Sequence, residues 1–289
     1  MIARVMHVVA CMAVVTACAS TATLAQGKPV WQQVDLARQL RDTLPQRIRL
    51  QYAAGVVDVR AADAPVLYAM HLRYDETRVI PVHRYDAEQR STVLGIERRG
   101  SSTPISGKGD EAGELRLALP RSVPLDLELE LGGTQTALEL GDMTVQSLRL
   151  DCGAADAALS FTTPNRAHMR DLEVNVGAAG FSASRLANAN ADLLRIQGGV
   201  GAIDLDFGGT WTRDLSVVAR LAIGRLMLRV PPDVGVRLEL QRVAAGFEHE
   251  GMVKRDDAWY STNWESAPRK LRIRAETYFG QVDIRRGVR

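Results

Sequence analysis

The feature that most restricts this chain is an alternation of apolar and polar residues with a period of two, broken at regular intervals by glycine. Leu115/Leu117/Leu119, Leu125/Leu127/Leu129/Leu131, Leu226/Leu228/Val230 and Val236/Leu238/Leu240 alternate with polar neighbours such as Asp126, Glu128 and Glu130, or Arg237 and Glu239. Successive side chains of a strand point to opposite faces, so these segments are strands with one buried face. Alignment on Gly132, Gly153, Gly177 and Gly199 gives a repeat with spacings of 21, 24 and 22 residues. Five positions before the anchors stand Leu127, Leu148, Leu172 and Leu194; three before stand Leu129, Leu150, Val174 and Ile196. After them come Leu138/Leu140, Leu159/Phe161 and Leu205/Phe207, whereas the third copy departs with Ala183/Arg185. Weaker copies surround Ile48/Leu50 with Val57/Val59, Leu215/Val217 with Leu226/Leu228, and Leu271/Ile273 with Val282/Ile284.

One strand-turn-strand unit cannot bury its own apolar columns, but neighbours stacked on it make a continuous core. The expected fold is therefore all-β: a single-stack β-solenoid, or β-helix-like domain, with an irregular N-terminal β cap and one short helix. The outward residues four before the anchors run Glu128, Arg149, Glu173, Arg195. Equivalent strands stacked in parallel about 4.8 Å apart would set each charge beside its opposites. The helix is predicted over residues 31–44, where Leu36, Leu40 and Leu44 share a helical face ahead of Pro45. Antiparallel strands are expected from Val66 to Glu97, a segment carrying Tyr68, Tyr74 and Tyr85, with an exposed loop from Gly100 to Gly113. The aromatic segment Trp259 to Trp264 is expected to cap the far end or pack along a flank.

Residues 1–25 read as a signal peptide, with Arg4 as the basic region, an apolar run from Val5 to Val15 and small residues before Gln26. A second reading competes: Val15-Thr16-Ala17-Cys18 resembles a bacterial lipobox, which would make 1–17 the leader and Cys18 a lipid-attached N-terminus. Residues 26–46 then form a linker with the short helix, and 47–289 a continuous β-solenoid-like domain. Either way the protein is exported, as a periplasmic or outer-membrane-anchored lipoprotein of a bacterium, with any membrane contact through that N-terminal anchor. Cys11 and Cys18 belong to the leader region, leaving Cys152, which follows Leu148 and Leu150 on a strand face and reads as a buried small hydrophobe. The net charge of +2 supplies no strong field for nucleic acid.

Several stretches resemble the toast-rack type of β-rich extracytoplasmic bacterial domain, and the related C-terminal domains of LiaF-like cell-wall stress proteins and candidate adhesins. They are IRLQYAAGVVDVR from Ile48 to Arg60, LRLDCGAADAALSF from Leu148, and at the end Tyr260-Ser-Thr-Asn-Trp264, Ala267 and LRIRAETYFGQVDI from Leu271. The resemblance implies stacked β-strands and an association with the cell envelope, and implies no catalytic site. LiaF-like proteins carry membrane helices ahead of this domain, whereas the membrane signal read in this chain is the targeting segment alone.

The residues that could carry chemistry fall into ordinary strand patterns. The five histidines form neither HExxH nor HxH, and no cofactor or metal is expected. His71 and His83 could converge with Asp75 or Asp86, but solvated strand positions explain them; Glu248-His249-Glu250 reads as an exposed turn. Asp204 and Asp206 share a strand face, as the acids of a polysaccharide lyase would, with Arg185 or Arg195 in the base's role. They equally fit alternation with Ile203, Leu205 and Phe207. Ser160, Ser182 and Ser261 lack the nucleophile-elbow pattern, and Gly198, Gly199 and Gly201 precede no helix. Trp211, Trp259, Tyr260 and Trp264 are candidates for partner binding, with packing of the caps as the competing role. Arg269, Lys270, Arg272 and Arg274 form a basic stripe. The expected function is a non-enzymatic envelope protein, a binding scaffold, adhesin-like module or stress-response accessory, whose partner is an envelope protein or polysaccharide. The alternative is a carbohydrate-active β-helix enzyme such as a polysaccharide lyase.

Overall fold

Each coil of this protein is a long strand bent at its middle, and the bend is what turns a sheet into a solenoid. The computed structural model describes residues 28–100 and 113–287, which form sixteen strands and a 3₁₀ turn at Leu186–Ala189. The bent strands are β2 (Gln46–Ala61), β7 (Pro124–Glu139), β10 (Asp171–Ser184), β11 (Leu193–Asp206), β12 (Leu215–Val230), β13 (Gly235–His249) and β16 (Lys270–Arg286). A further coil is divided into β8 (Thr144–Cys152) and β9 (Asp156–Ser160). All stack in parallel, in the spatial order β2, β7, β8 with β9, β10, β11, β12, β16, β13. The last strand of the chain is thus inserted between β12 and β13.

The aliphatic columns read from the sequence become continuous in the stack. On the first arms, Ile48, Leu127, Leu148, Leu172, Leu194, Val217, Ile273 and Leu238 are register neighbours, each buried. On the second arms the column runs Val59, Leu138, Leu159, Ala183, Leu205, Leu228, Ile284. At about 25 cal/mol per Å² of apolar surface withdrawn from water, these columns dominate the stabilisation. The irregular third coil is real and local. Ala183 keeps its place in the column, but Arg185 adopts a left-handed backbone (φ 55°) and the 3₁₀ turn begins, bringing Leu186 into the core in its stead.

The expected charge column is also present, with one more member: Arg49, Glu128, Arg149, Glu173 and Arg195 lie side by side across five coils. Its bonds are partly diagonal. Arg149 reaches both Glu173 (3.1 Å) and Asp151 (2.9 Å), Arg195 reaches Asp171 (3.0 Å) and Arg49 reaches Glu130. A second set of ions ties the turns between coils: Asp142 accepts from Arg121 and Arg166, and Asp192 pairs with His168 and Arg213. Buried Asn165 and Asn188 close the same turns, Asn165 bonding the backbone of Val145 and Ala189, and Asn188 that of Phe161 and Thr210.

The N-terminal end differs from expectation at one element. Where the leucine spacing predicts a helix over 31–44, the structure has strand β1 (Trp31–Gln39), antiparallel to β3 (Val66–Asp75). Trp31, Val34, Leu36 and Arg38 are its half-buried positions, and Leu40 just beyond it continues the period of two that starts at Val34. An unpaired strand edge supplies a full row of backbone hydrogen-bond partners, which outweighs a weak helical propensity. Residues 31–39 therefore join the sheet, as part of the β cap. β4 (Val79–Asp86) and β5 (Ser91–Arg98) form a hairpin that extends the first arms beyond β2, while β6 (Glu114–Leu119), β3 and β1 extend the second arms. The loop expected between Gly100 and Gly113 and the lipid-attachment candidate Cys18 fall outside the described residues.

At the far end the hairpin of β14 (Met252–Arg255) and β15 (Ala258–Ser261) covers the first arm of β13. Trp259 stands over the end of the core, its ring 5.1 Å from Phe247 and 4.1 Å from His249. No described helix is long and apolar enough to cross a membrane.

Candidate functional site

The corner between the two arms is where the surface stops following the polar rule of exposed strand faces. On β7, in the bend between β8 and β9, and on β10 and β11 its positions are held by the repeat anchors Gly132, Gly153, Gly177 and Gly199. Close approach of consecutive coils requires three of them to be glycine: a Cβ on Gly132, Gly177 or Gly199 would lie 2.1, 2.6 or 2.4 Å from the carbonyl oxygen of the preceding coil. Gly153 alone has room, 3.4 Å from the nearest atom. Without side chains along this line, an open groove of about 960 Å³ runs across the coils, from Tyr52 and Ile96 at one end to Gly199 at the other. Its polar wall is a ladder of Gln51, Glu130, Asp151, Asn175 and Gln197, one from each coil. Gln51 donates to Glu130 (3.0 Å) and Asn175 to Asp151 (2.7 Å).

Beyond the groove the same corner reverses character. Val200 on β11, Ile223 on β12 and Phe279 on β16 are register neighbours, with Tyr278 and Val243 beside them. These five are 48–74% exposed, and they are five of nine large exposed apolar residues among those described; the other four are scattered singly. Scattered exposed apolar residues are ordinary, but a contiguous set on one edge marks an interaction surface. The local cause is legible: Gly201, Gly224 and Gly280 follow Val200, Ile223 and Phe279 with φ of 147°, 142° and 126°. A Cβ on Gly224 would lie 1.7 Å from the Gly201 carbonyl oxygen, and one on Gly280 1.8 Å from that of Gly224. These left-handed glycines turn the corner, leaving the preceding side chain outside the core.

The aromatic candidates are distributed differently from this ridge. Trp259, Tyr260 and Trp264 come together at the far cap, with Tyr260 and Trp264 in edge contact at 5.6 Å and the Tyr260 hydroxyl accepting from Arg237 (3.0 Å). Lys270 lies over the Trp264 ring at 4.9 Å. Trp211 stands apart in the turn before β12, packed on the core, and its indole donates to the Phe207 carbonyl (3.0 Å). Of the basic stripe, Arg272 pairs with Asp214, Arg274 with Glu239, and Arg269 donates to the Trp211 carbonyl. The residues that define the ridge escaped sequence reasoning, although an apolar residue directly before glycine in three coils was the available signal.

The sequence's chemical candidates do not converge. His71 pairs with Asp35 (2.7 Å), whereas His83 meets the Tyr68 ring edge-on at 6.4 Å. Asp204 is held by Arg229, and Asp206 accepts from the backbone of Gly208 and Arg185. Arg195 is occupied by Asp171, and the Arg185 side chain donates to the Thr162 carbonyl. The Ser160 hydroxyl donates to Glu139, and that of Ser261 accepts from the Val236 amide. Glu248 and His249 belong to the end of β13 rather than to a free turn, His249 stacking on Trp259. Burial pushes the Cys152 thiol up to about 12, so it stays protonated at neutral pH, as a packing residue. Glu139 is the inverse case: burial raises its pKa, but bonds from Ser160, Gly141 and Thr162 outweigh that and hold it below the usual carboxylate range. Among the described residues no three His, Cys, Asp or Glu side chains are grouped as a metal would need.

A parallel stack of bent strands with a shaped corner defines a class, the parallel β-solenoid, here without a catalytic constellation among its described residues. Residues 32–170 match the N-terminal domain of toast_rack (DUF2154), and this part of the chain belongs to that family. The ridge lies entirely beyond the matched segment. No curated protein matches the chain. Among solved structures it is similar to a candidate cell adhesion protein from Clostridium sporogenes, at 14% identity over 89% of this chain and 100% of the other, with a TM-score of 0.48. A candidate adhesin from Bacteroides fragilis matches at 8% identity over 89% and 99%, with a TM-score of 0.38. A candidate lipid binding protein from Parabacteroides distasonis matches at 9% identity over 90% and 98%, with a TM-score of 0.34.

Proposed function

We propose that this protein is a non-enzymatic, exported binding module of the bacterial envelope, and that it engages its partner through the corner formed by the glycine groove and the apolar ridge. The observation that carries this reading is the concentration of exposed apolar residues on one edge of an otherwise alternating surface. An interaction site of this kind needs a desolvated apolar centre with a polar rim, and the ridge is flanked by Arg220 and Arg225 while the groove is flanked by Glu130 and Asp151. At the cap Trp259 packs on Phe247 and His249, and Tyr260 on Trp264, contacts that fit a role in holding the end of the stack. Export follows from the N-terminal segment, with Cys18 acylation and cleavage before Gln26 as the two forms to be separated by mass spectrometry of the mature N-terminus.

The test is site-specific photocrosslinking in cells. A photoreactive residue at Tyr278 should capture an envelope component, whereas the same group at Ile80, an isolated exposed apolar residue, should not. Equal capture at both positions would remove the corner from consideration.

A further inference from the structure

We propose that the occupant of the corner is a second copy of this chain, packed about a two-fold axis so that the ridge of each copy lies in the groove of the other. The inference rests on the corner being the binding surface, and it names the partner. Its foundation is a matching of periods. The ridge residues are spaced by the distance between parallel strands, about 4.8 Å, and so are the glycines of the groove. Another stack of strands has that period by construction. An extended peptide, advancing about 3.3 Å per residue, does not.

The order of coils fixes the register. Groove and ridge lie on the same corner and meet on β11: the groove runs over β2, β7, β8 and β10 and ends at Gly199, and the ridge begins at Val200 and runs over β11, β12, β16 and β13. A two-fold axis crossing the corner between β10 and β11 exchanges them. It sets Val200 over Gly177 of the second copy, Ile223 over Gly153 and Phe279 over Gly132. Such an interface is isologous, so each contact occurs twice and the assembly closes at two copies. In a face-to-face pair such an axis runs along the strands, so it reverses the order of the coils, keeps the strand direction and sets each arm against the same arm of the second copy. Arg220 on the first arm shares a register column with Asp151 and comes opposite Asp151 of the second copy, while Arg225 on the second arm shares one with Asp156 and comes opposite Asp156. Within one copy Arg225 bonds Asp283 and Arg220 bonds Glu276, so these arginines are already held at the ridge flanks. In each half of the interface two opposite-charge pairs stand against one like pair, Glu276 over Glu130, a balance that favours this register.

The decisive measurement is the molar mass of the purified mature protein by light scattering and sedimentation at micromolar concentration, with variants on each side. Ile223→Lys places a charge on the ridge. Gly153→Leu fills the groove at the one anchor whose Cβ has room. Each should raise the dimer dissociation constant at least about tenfold, as central interface residues do, with the far-ultraviolet circular dichroism of the folded chain unchanged. In a Cys152→Ala background, Ile223→Cys combined with Gly153→Cys should give an oxidised dimer. The two positions are three coils, about 14 Å, apart within one chain, beyond the reach of an internal disulfide. A chain that is monomeric throughout, or a dimer indifferent to both Ile223→Lys and Gly153→Leu, overturns the proposal. If the protein is monomeric yet Tyr278 captures another envelope component and Ile223→Lys abolishes that capture, the corner remains the binding surface and only the second copy is wrong. If neither occurs, both readings fall.

Discussion

The corner of β7 to β10 and the corner of β11 to β16 are built by the same stacked strands, yet one is a groove and the other a ridge. In the first, glycines without positive φ allow coils to approach closely, and the surface is left bare. In the second, glycines with positive φ sit two positions later, at Gly201, Gly224 and Gly280, and each follows a large apolar residue that is left in solvent. Moving the glycine by two positions thus changes what the surface offers while the leucine columns inside remain continuous. The core specifies the stack; the corner specifies its surface.

Substitution at the two kinds of glycine should give the largest contrast. Gly224→Val combines a strained backbone with a Cβ 1.7 Å from a carbonyl oxygen, and should cost at least about 3 kcal/mol in chemical denaturation. Gly153→Ala should change stability by under about 1 kcal/mol, and a large loss there would mean that the groove glycines do more than permit close stacking.

Acid should separate the regions next. The second-arm column runs Glu139 and Ser160 on the groove coils, but Arg229 and Arg285 on the ridge coils. Because the folded-state pKa of Glu139 is depressed, its contribution is present above its unfolded value and is lost as the pH falls through the folded value, on the acid side of the ordinary glutamate range. Hydrogen exchange should therefore open β7 and β9 before β12 and β16 as pH is lowered, and Glu139→Gln should remove that order. Simultaneous opening would show that the stack unfolds as one unit.

The outer charge column is a smaller effect, running from β2 to Arg195 on β11, where Val218 of β12 interrupts it. Arg149→Glu should lower the melting temperature, corresponding to about 1 kcal/mol or less. Glu173→Arg should restore more of the loss than Glu128→Arg, since Arg149 is bonded to Glu173 and not to Glu128. Strict additivity of the paired changes would show that the column is only adjacency. Smallest of all, Phe279→Ser on the ridge should leave the stability of a single copy within about 0.5 kcal/mol, because the side chain is exposed. A larger loss would make Phe279 part of the fold's core and weaken its reading as a contact residue.

The repeat, both aliphatic columns, the alternating charges and the irregularity at Arg185 were legible in the sequence, because an alternation of period two is a local record of burial. The helix expected over 31–44 was not borne out, because Leu36, Leu40 and Leu44 satisfy a helical spacing while the partner strand β3 lies 27 or more residues away, from Val66 onward. The ridge was missed for a related reason. Val200, Ile223 and Phe279 are apolar, and only their placement at a left-handed turn distinguishes them from core residues.

Sequence alone thus determined that this chain must stack: a column of leucines repeated every twenty-odd residues can be withdrawn from water only by a neighbour carrying the same column. Tertiary structure decided the order of the coils, with β16 entering between β12 and β13, and which glycines leave a groove and which project a ridge. Those choices depend on the approach of one backbone to the next and on the sign of φ at the corner, quantities set between coils rather than within any one of them.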